Sequence, residues 1–175
     1  MDDFAKDLLA RFRWIDGHAD VLGLLTEAGF LDRAADALAE PFRSARVTQV
    51  AGIEARGFIF GAGAALRLDA GFLPVRKQGS VHPGPKASHT TGLDWRGREV
   101  VLQVQRRAIG SGDRVLLVDD WAETGSQALA ARALVEDCGA EWIGLSLLVD
   151  QLPEDVRRQL EPVASVVRYD QLPPG

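Results

Sequence analysis

Short apolar runs alternate with segments of helical spacing along this 175-residue chain. The run at 115–118 is continuously apolar and the run at 142–149 is largely so, which is typical of strands buried on both faces of a sheet. Other strand-like runs lie at 47–53, 71–75, 99–105 and 165–169. Helical periodicity is present at 2–13, 30–38, 58–68, 153–160 and in the stretch from Thr124 to Cys138 and Gly139. Strands that alternate with helices predict an α/β fold with a mainly parallel sheet and helices on both faces.

Two stretches interrupt this pattern. Residues 14–20 break the helical spacing and are predicted to form a loop. Residues 78–98 form the longest irregular stretch and are rich in Gly, Pro and hydroxyl side chains. An irregular stretch of that length inside a compact domain is usually an active-site loop or a disordered segment.

Composition narrows the class of protein. Hydrophobic residues make up 46% and charged residues 26%, as in ordinary globular domains, and no linker or repeat divides the chain, so residues 1–175 are predicted to form one domain. The net charge of -5 argues against general nucleic-acid binding but leaves room for a local basic pocket.

Cys138 is the only cysteine, which excludes an intramolecular disulfide. No apolar run approaches about 18 residues, and the N-terminus is acidic and amphipathic, so we expect a cytoplasmic protein without a membrane span.

The chemistry concentrates in residues 114–134, RVLLVDDWAETGSQALAARAL. A buried strand leads into Asp119 and Asp120, then into a small-residue turn and a helix. Backbone N–H groups and hydroxyls at a helix N-terminus bind anions, and ionised carboxylates accept hydrogen bonds from a vicinal diol. Phosphate beside a diol indicates a ribose 5-phosphate ligand.

This stretch resembles the phosphoribosyl pyrophosphate (PRPP) signature of type I phosphoribosyltransferases. The resemblance assigns PRPP binding to Asp119, Asp120, Glu123, Thr124, Gly125, Ser126 and Gln127. Glu123 departs from the family, which usually has a small residue, a hydroxyl residue or Asp there. Because a carboxylate would repel the phosphate, we predict that Glu123 points outward and that backbone amides of residues 124–127 form the cradle.

A second motif lies at residues 52–58, GIEARGF, where a strand leads into a charged turn and a helix. A guanidinium group suits bidentate phosphate contacts, so Arg56 is a candidate pyrophosphate ligand. With its continuation to Lys77, the motif resembles adenine phosphoribosyltransferases most closely. The resemblance implies a pyrophosphate loop, often with a cis peptide bond, here between Glu54 and Ala55. The implied pyrophosphate-binding residues are Glu54, Ala55, Arg56, Gly57, Arg76 and Lys77.

The resemblance extends less closely to the catalytic loop and to the base pocket. It places Asp94 where the family has a Glu that manages the base proton, and Trp95 where the family has a Tyr. His18 stands nearest to the segment whose aromatic ring packs on the base. We therefore predict Asp94 as catalytic, together with Arg56, Asp119 and Asp120, and predict that His18 and Trp95 bind the base.

The family resemblance implies the type I phosphoribosyltransferase fold, with a small N-terminal hood over about residues 1–40 and a core over about 45–170. It implies transfer of ribose 5-phosphate from PRPP to a purine, most simply adenine, giving AMP and pyrophosphate. Mg²⁺ would be bound mainly through PRPP, with no direct protein ligand, and the protein would be a homodimer. Two alternatives stay open. One is a PRPP-dependent transferase for another heterocyclic base, and the other is a non-enzymatic nucleotide-binding regulator of the same fold.

Overall fold

The computed structural model describes residues 3–81, 83–93 and 97–175. Within these residues the α-helices are α1 (Asp3–Arg11), α2 (Val21–Leu24), α3 (Phe30–Ala39), α4 (Arg56–Arg67), α5 (Ser126–Asp137) and α6 (Glu154–Leu160). The strands are β1 (Trp14–Ile15), β2 (His18–Ala19), β3 (Gln49–Ile53), β4 (Gly71–Lys77), β5 (Lys86–Thr90), β6 (Val101–Gln105), β7 (Arg114–Ala122), β8 (Glu141–Asp150) and β9 (Val163–Arg168). None of the described helices is long and apolar enough to span a membrane.

Seven of the strands form one sheet in the order β5-β6-β4-β3-β7-β8-β9. The strands from β4 to β9 across the centre are parallel, whereas β6 runs antiparallel to β4 and β5 antiparallel to β6. The predicted α/β fold with a mainly parallel sheet is confirmed.

The sheet separates two hydrophobic cores, and successive side chains of β7 point alternately into one and the other. Leu116 and Val118 pack into the cluster that contains residues of α1, α3 and α4. Val115 and Leu117 pack into the cluster on the other face, where α5 supplies Ala131 and other small residues. Because both faces of β7 are covered, the continuous apolar run seen in the sequence is what this central strand requires.

The chain changes direction between β3 and β7. From β3 it passes through α4 to β4 on one side, and from β7 it passes through α5 to β8 on the other side. A crevice opens outside the carboxyl ends of two strands at such a switch point, and ligands bind there in open α/β sheets. The two motifs found in the sequence follow β3 and β7, so the topology brings them to one crevice.

The structure corrects the prediction of a loop at residues 14–20, because β1 and β2 pair there as an antiparallel hairpin. Asp16 and Gly17 occupy its turn with φ of 51° and 75°. Positive φ at both central residues is what a two-residue hairpin turn of type I′ needs, and Asp-Gly is one of its preferred sequences. The Asp-Gly turn signal was therefore present in the sequence, but strands of only two residues are too short to show an alternating pattern.

Two further differences from prediction bear on the site. The stretch 78–98, predicted to be irregular throughout, contains β5, which is stabilised by pairing with β6 from Lys86↔Gln105 to Thr90↔Val101. The central strand, predicted to end at Val118, continues to Ala122 because β8 pairs alongside it as far as Ala122↔Asp150. Asp119 and Asp120 are therefore strand residues, and their side chains leave the strand on opposite faces.

Candidate active site

A cavity of about 680 Å³ lies at the crevice between β3 and β7. It is bounded by the turn after β3, the end of β7, the loop before α5 and the β1–β2 hairpin. The predicted site residues that line it are His18, Glu54, Ala55, Arg56, Lys77, Asp119, Asp120, Glu123, Thr124, Gly125, Ser126 and Gln127. Two predicted residues, Gly57 and Arg76, do not line it.

Glu54 holds the turn after β3 in place. Its Oε1 accepts hydrogen bonds from the Lys77 amide at 2.8 Å and the Ser80 hydroxyl at 2.6 Å, and its Oε2 accepts from Arg76 Nε at 3.0 Å. Burial raises the pKa of Glu54, but these hydrogen bonds together outweigh it, so the pKa lies below its usual value. The Glu54 carboxylate is thus ionised, and both of its oxygens accept hydrogen bonds from groups of the protein.

The same network explains the position of Arg76. Its guanidinium group pairs with Glu54 and donates to the Val81 carbonyl at 2.7 Å. Arg76 therefore stabilises the turn after β3 from outside the cavity, whereas Lys77 lines the cavity. The Glu54–Ala55 peptide bond is cis, as the family resemblance implied.

Gly57 serves close packing at the start of α4. A Cβ added to it would lie 2.9 Å from Asp119 Oδ1, and one added to Gly52 would lie 2.2 Å from the Gly57 carbonyl oxygen. Both distances are shorter than real Cβ contacts. Glycine at these positions lets the first turn of α4 approach the end of β3 and the acidic pair.

Asp119 and Asp120 carry the strongest electrostatic perturbation of the site. Burial raises the pKa of Asp119 well above its usual value, and the neighbouring Asp120 charge raises it further. Burial also raises the pKa of Asp120, an effect that Arg56 only partly offsets. The separation between Arg56 Nε and Asp120 Oδ2 is 3.0 Å. Ligand hydroxyls that donate to these carboxylates would favour their ionised forms.

The loop before α5 has the geometry of an anion site. Gly125, with φ of 72°, precedes the first helical residue, Ser126. The Thr124 hydroxyl lies 3.1 Å from the Ser126 hydroxyl and accepts from the Ser126 amide at 3.3 Å. A helix N-terminus with hydroxyls beside it favours a phosphate group.

Gly125→Ala is expected to lower the free energy of unfolding by more than the cost of a left-handed backbone alone, because the added Cβ would also clash. A Cβ there would lie 2.5 Å from Val156 Cγ1 and 2.7 Å from Leu152 Cδ2. The matched control is Gly29→Ala, since Gly29 has φ of 78° and a Cβ added to it would have no neighbouring atom within 4 Å. Left-handed backbone costs a non-glycine residue about 1–2 kcal/mol, and overpacking adds about 1–3 kcal/mol. Chemical denaturation measures both variants, and equal losses would show that Val156 and Leu152 move aside freely.

Glu123 is exposed at the rim of the cavity. We expect Glu123→Ala to change PRPP affinity by less than about threefold, because an exposed acid near a helix N-terminus is screened from the ligand and tolerated by the helix dipole. Calorimetric titration with PRPP measures this, with Glu136→Ala on the outer surface of α5 as the control. A hundredfold gain in affinity would instead place the carboxylate in the phosphate cradle.

The far end of the cavity is an aromatic wall formed by Trp14, Trp121 and Tyr169. Their ring centroids are 5.9–6.3 Å apart and the rings meet edge to face. Trp121 Nε1 donates to Gln151 Oε1 at 2.8 Å, and Trp14 Nε1 donates to the Pro173 carbonyl at 2.8 Å. No pattern in the sequence indicates this wall, because its members are 48 to 155 positions apart along the chain and only the fold brings them together.

His18 lies exposed on β2 and lines the cavity beside Trp14. The predicted catalytic residue Asp94 and base-binding residue Trp95 lie outside the described residues. Of the two residues predicted to bind the base, His18 therefore lies in the cavity lining, which also contains the aromatic wall and Gln151.

Comparison with known proteins places this geometry in a family. The model of the phosphoribosyl transferase domain matches residues 23–173. The chain is 43% identical over 135 residues to adenine phosphoribosyltransferase of Methylobacterium nodulans, covering 77% of this chain and 72% of that protein. The chain belongs to the phosphoribosyltransferase family.

Solved structures agree with this membership. Adenine phosphoribosyltransferase from Rhodothermus marinus matches with a TM-score of 0.83 and 34% identity, covering 94% of this chain and 98% of that one. The enzyme from Giardia lamblia, complexed with 9-deazaadenine, matches with a TM-score of 0.83 and 30% identity over 94% of this chain and 97% of that one. The resemblance to this family and the fold it implied are confirmed.

Proposed function

We propose that this protein transfers the 5-phosphoribosyl group of PRPP to adenine, giving AMP and pyrophosphate in purine salvage. The observation that carries the proposal is that one cavity holds both motifs, with the turn after β3 on one side and the end of β7 with the α5 N-terminus on the other. The choice of adenine as the base rests on the similar proteins, which are adenine phosphoribosyltransferases.

PRPP would lie across the crevice with each charged part facing a different element. The 5-phosphate would bind the α5 N-terminus at residues 124–127, and the ribose hydroxyls would donate to Asp119 and Asp120. The pyrophosphate would face Ala55, Arg56 and Lys77, because these residues line the opposite side of the cavity. Gly57 and Arg76, which do not line the cavity, would support this side, and Glu54 would hold the turn in place through Arg76, Lys77 and Ser80.

In the reaction, the bond between the anomeric carbon and pyrophosphate breaks, and its electron pair leaves with the pyrophosphate. The purine nitrogen donates the electron pair of the new bond and then loses its proton. The anomeric carbon is electron-deficient between the two events, so the carboxylates of Asp119 and Asp120 stabilise it. Arg56 and Lys77 stabilise the charge of the departing anion. Asp94 remains our prediction for the group that manages the base proton.

Mg²⁺ fits this arrangement as a cofactor bound mainly through PRPP. Magnesium prefers oxygen ligands and commonly binds through substrate phosphates with few carboxylates. Asp120 Oδ2 is buried and lies 3.0 Å from Arg56 Nε, so the protein's own cation already neutralises this oxygen. The ion would therefore be held by the phosphate and ribose oxygens of PRPP, as the family resemblance implied. When bound, the ion would neutralise charge on the leaving pyrophosphate.

The base would enter between the hairpin and the aromatic wall. Aromatic faces and edges suit a flat heterocycle, and Gln151 and His18 offer polar contacts at the same end. Trp121 Nε1 can only donate, so Gln151 Oε1 accepts from it, and Gln151 Nε2 is the donor that could meet the base.

The test is turnover with PRPP, Mg²⁺ and a panel of nucleobases, followed by pyrophosphate release. We expect adenine to be preferred by at least about 10²-fold in kcat/KM over 6-oxopurines and pyrimidines. Preference for another base would favour the transferase of different specificity. Binding of PRPP and AMP without turnover of any base would favour the nucleotide-binding regulator.

We further propose a single cytoplasmic catalytic domain, with a hood over about residues 1–40 and a core over about 45–170, which acts as a homodimer. Two exposed apolar side chains on α4, Ile59 and Leu66, support a subunit contact in the region 58–75, since they lie seven residues apart on one side of the helix. Sedimentation of the wild type and of Leu66→Glu would test the dimer.

A further inference from the structure

We infer that Asp150, which lies outside the cavity lining, is a positioning residue that aligns the base end and the phosphate end of the site together. The inference rests on the proposed function for its choice of ligands. It concerns the turn after β8, residues 151–153, which carries one side chain toward each end of the cavity.

Asp150 is a buried carboxylate with a complete set of partners at the end of β8. It is 1% exposed. Its Oδ1 accepts from the Leu152 amide at 2.9 Å, and its Oδ2 accepts from Arg157 Nε at 3.0 Å. The Arg168 guanidinium group lies 3.8 Å from the same Oδ2. A buried charge is tolerated only with such pairing, so these contacts fix the turn.

Arg157 carries the constraint to the neighbouring strand. Besides Asp150, it donates to the Val163 carbonyl at 3.0 Å, which ties α6 to the start of β9. Arg168, at the end of β9, pairs with Glu154 at 3.1 Å and directly precedes Tyr169 of the aromatic wall. One carboxylate therefore joins the end of β8, the helix α6 and the end of β9.

Gln151 connects the turn that Asp150 fixes to the base end of the cavity, which is the end formed by Trp14, Trp121 and Tyr169. The Gln151 amide donates to the Ala122 carbonyl at 3.0 Å, which continues the β7–β8 pairing, and the Gln151 side chain accepts from Trp121. The orientation of Trp121 in the wall thus depends on where Gln151 lies.

The same turn reaches the phosphate end through Leu152. Its side chain and that of Val156 pack directly against Gly125, so closely that no Cβ fits there. Leu152 is 4% exposed. Movement of the turn would release the support beneath the loop that precedes α5, and small displacements of binding groups cost affinity steeply.

The decisive variant is Asp150→Asn, which keeps an oxygen for the Leu152 amide but presents an NH₂ group to Arg157. The probes are ribose 5-phosphate, which reports the phosphate and ribose contacts without the base, and AMP, which also reaches the aromatic wall. We expect the dissociation constant of ribose 5-phosphate to rise about tenfold and that of AMP to rise further, because both ends loosen. In turnover, KM for both substrates rises while kcat stays within about threefold.

The control is Glu141→Gln at the opposite end of β8, which also removes a carboxylate from an arginine, Arg114. It lies on the order of 30 Å from Asp150 along the strand, so both dissociation constants should keep their wild-type values. Arg157→Lys keeps the charge beside Asp150 but cannot make both guanidinium contacts, so its loss should be smaller than that of Arg157→Gln, which should reproduce the effect of Asp150→Asn. The arginine pair keeps the inference testable if Asp150→Asn does not fold.

Wild-type dissociation constants in folded Asp150→Asn or Arg157→Gln would overturn the inference, as would a fall in kcat with unchanged KM, which a partly unfolded sample would give. The outcome is separable from that of the proposed function. If the wild type binds ribose 5-phosphate and AMP but turns over no adenine, the proposed function fails while the binding comparison still decides the role of Asp150.

Discussion

The double variant Asp119→Asn with Asp120→Asn is expected to lose PRPP binding and turnover while keeping its fold. The variant would lose the two proposed charge-assisted hydrogen bonds to the ribose hydroxyls, each worth about 1.5–3 kcal/mol, so kcat/KM should fall by about 10² to 10⁴-fold. Calorimetry with PRPP and steady-state kinetics measure the two losses. Asp69→Asn, at an exposed position just beyond the far end of α4, is the control and should bind PRPP normally.

The same double variant should be more stable than the wild type in the absence of ligand. Burial raises the pKa of both carboxyl groups in the folded state, so the folded protein binds more protons than the unfolded chain above about pH 4. Folding stability contributed by this pair therefore falls as pH rises from about 4 to the raised folded pKa values. The amide variant lacks this loss, and each kcal/mol regained raises the midpoint of thermal unfolding by about 2–4 °C.

Thermal scans at acidic and neutral pH test the sign of this effect. The difference in midpoint between variant and wild type should widen toward neutral pH, with the variant the more stable. A folded double variant that binds PRPP with unchanged affinity would remove the acidic pair from the ribose site. A variant less stable than the wild type at neutral pH would show that the carboxylates stabilise the ligand-free site.

Arg56→Ala is expected to lower kcat/KM by about 10- to 150-fold, since one charge-assisted contact with the leaving pyrophosphate is worth about 1.5–3 kcal/mol. KM for pyrophosphate in the reverse reaction should rise in parallel. The control is Arg43→Ala, which also loses carboxylate partners, Asp36 and Glu40, but on the outer surface. Wild-type kinetics in Arg56→Ala would exclude the residue from the site.

A pH profile separates the observed contact of Arg56 with Asp120 from its proposed contact with pyrophosphate. Its guanidinium group holds the pKa of Asp120 below the value that burial alone would give, so removing it should move the acid limb of the kcat/KM profile to higher pH. Arg56→Lys keeps the charge beside Asp120 and should leave that limb in place, while the bidentate phosphate contact is weakened. An unmoved limb in both variants would show that Asp120 ionisation does not limit the reaction.

The sequence by itself determined the parts of this protein that are local. The apolar run 115–118 is long enough and continuous enough to specify a buried strand, and Asp119, Asp120 and residues 124–127 follow it without interruption. The turn Glu54-Ala55-Arg56 follows a strand in the same way. Such strand–turn–helix segments carry their chemistry within about 20 residues, so periodicity and motif spacing suffice to find them.

Tertiary structure alone decided which groups meet across the chain. Trp14, Trp121 and Tyr169 form one wall because the hairpin and two strand ends converge, and no sequence spacing predicts that contact. The strand β5 exists because β6 pairs with it, and β7 continues past Val118 because β8 supports it. Pairing between distant segments also directs Arg76 to Glu54 instead of the cavity. Local propensity is weak beside such long-range pairing and burial, which is why the sequence indicated the two strand–turn–helix motifs while the aromatic wall required the fold.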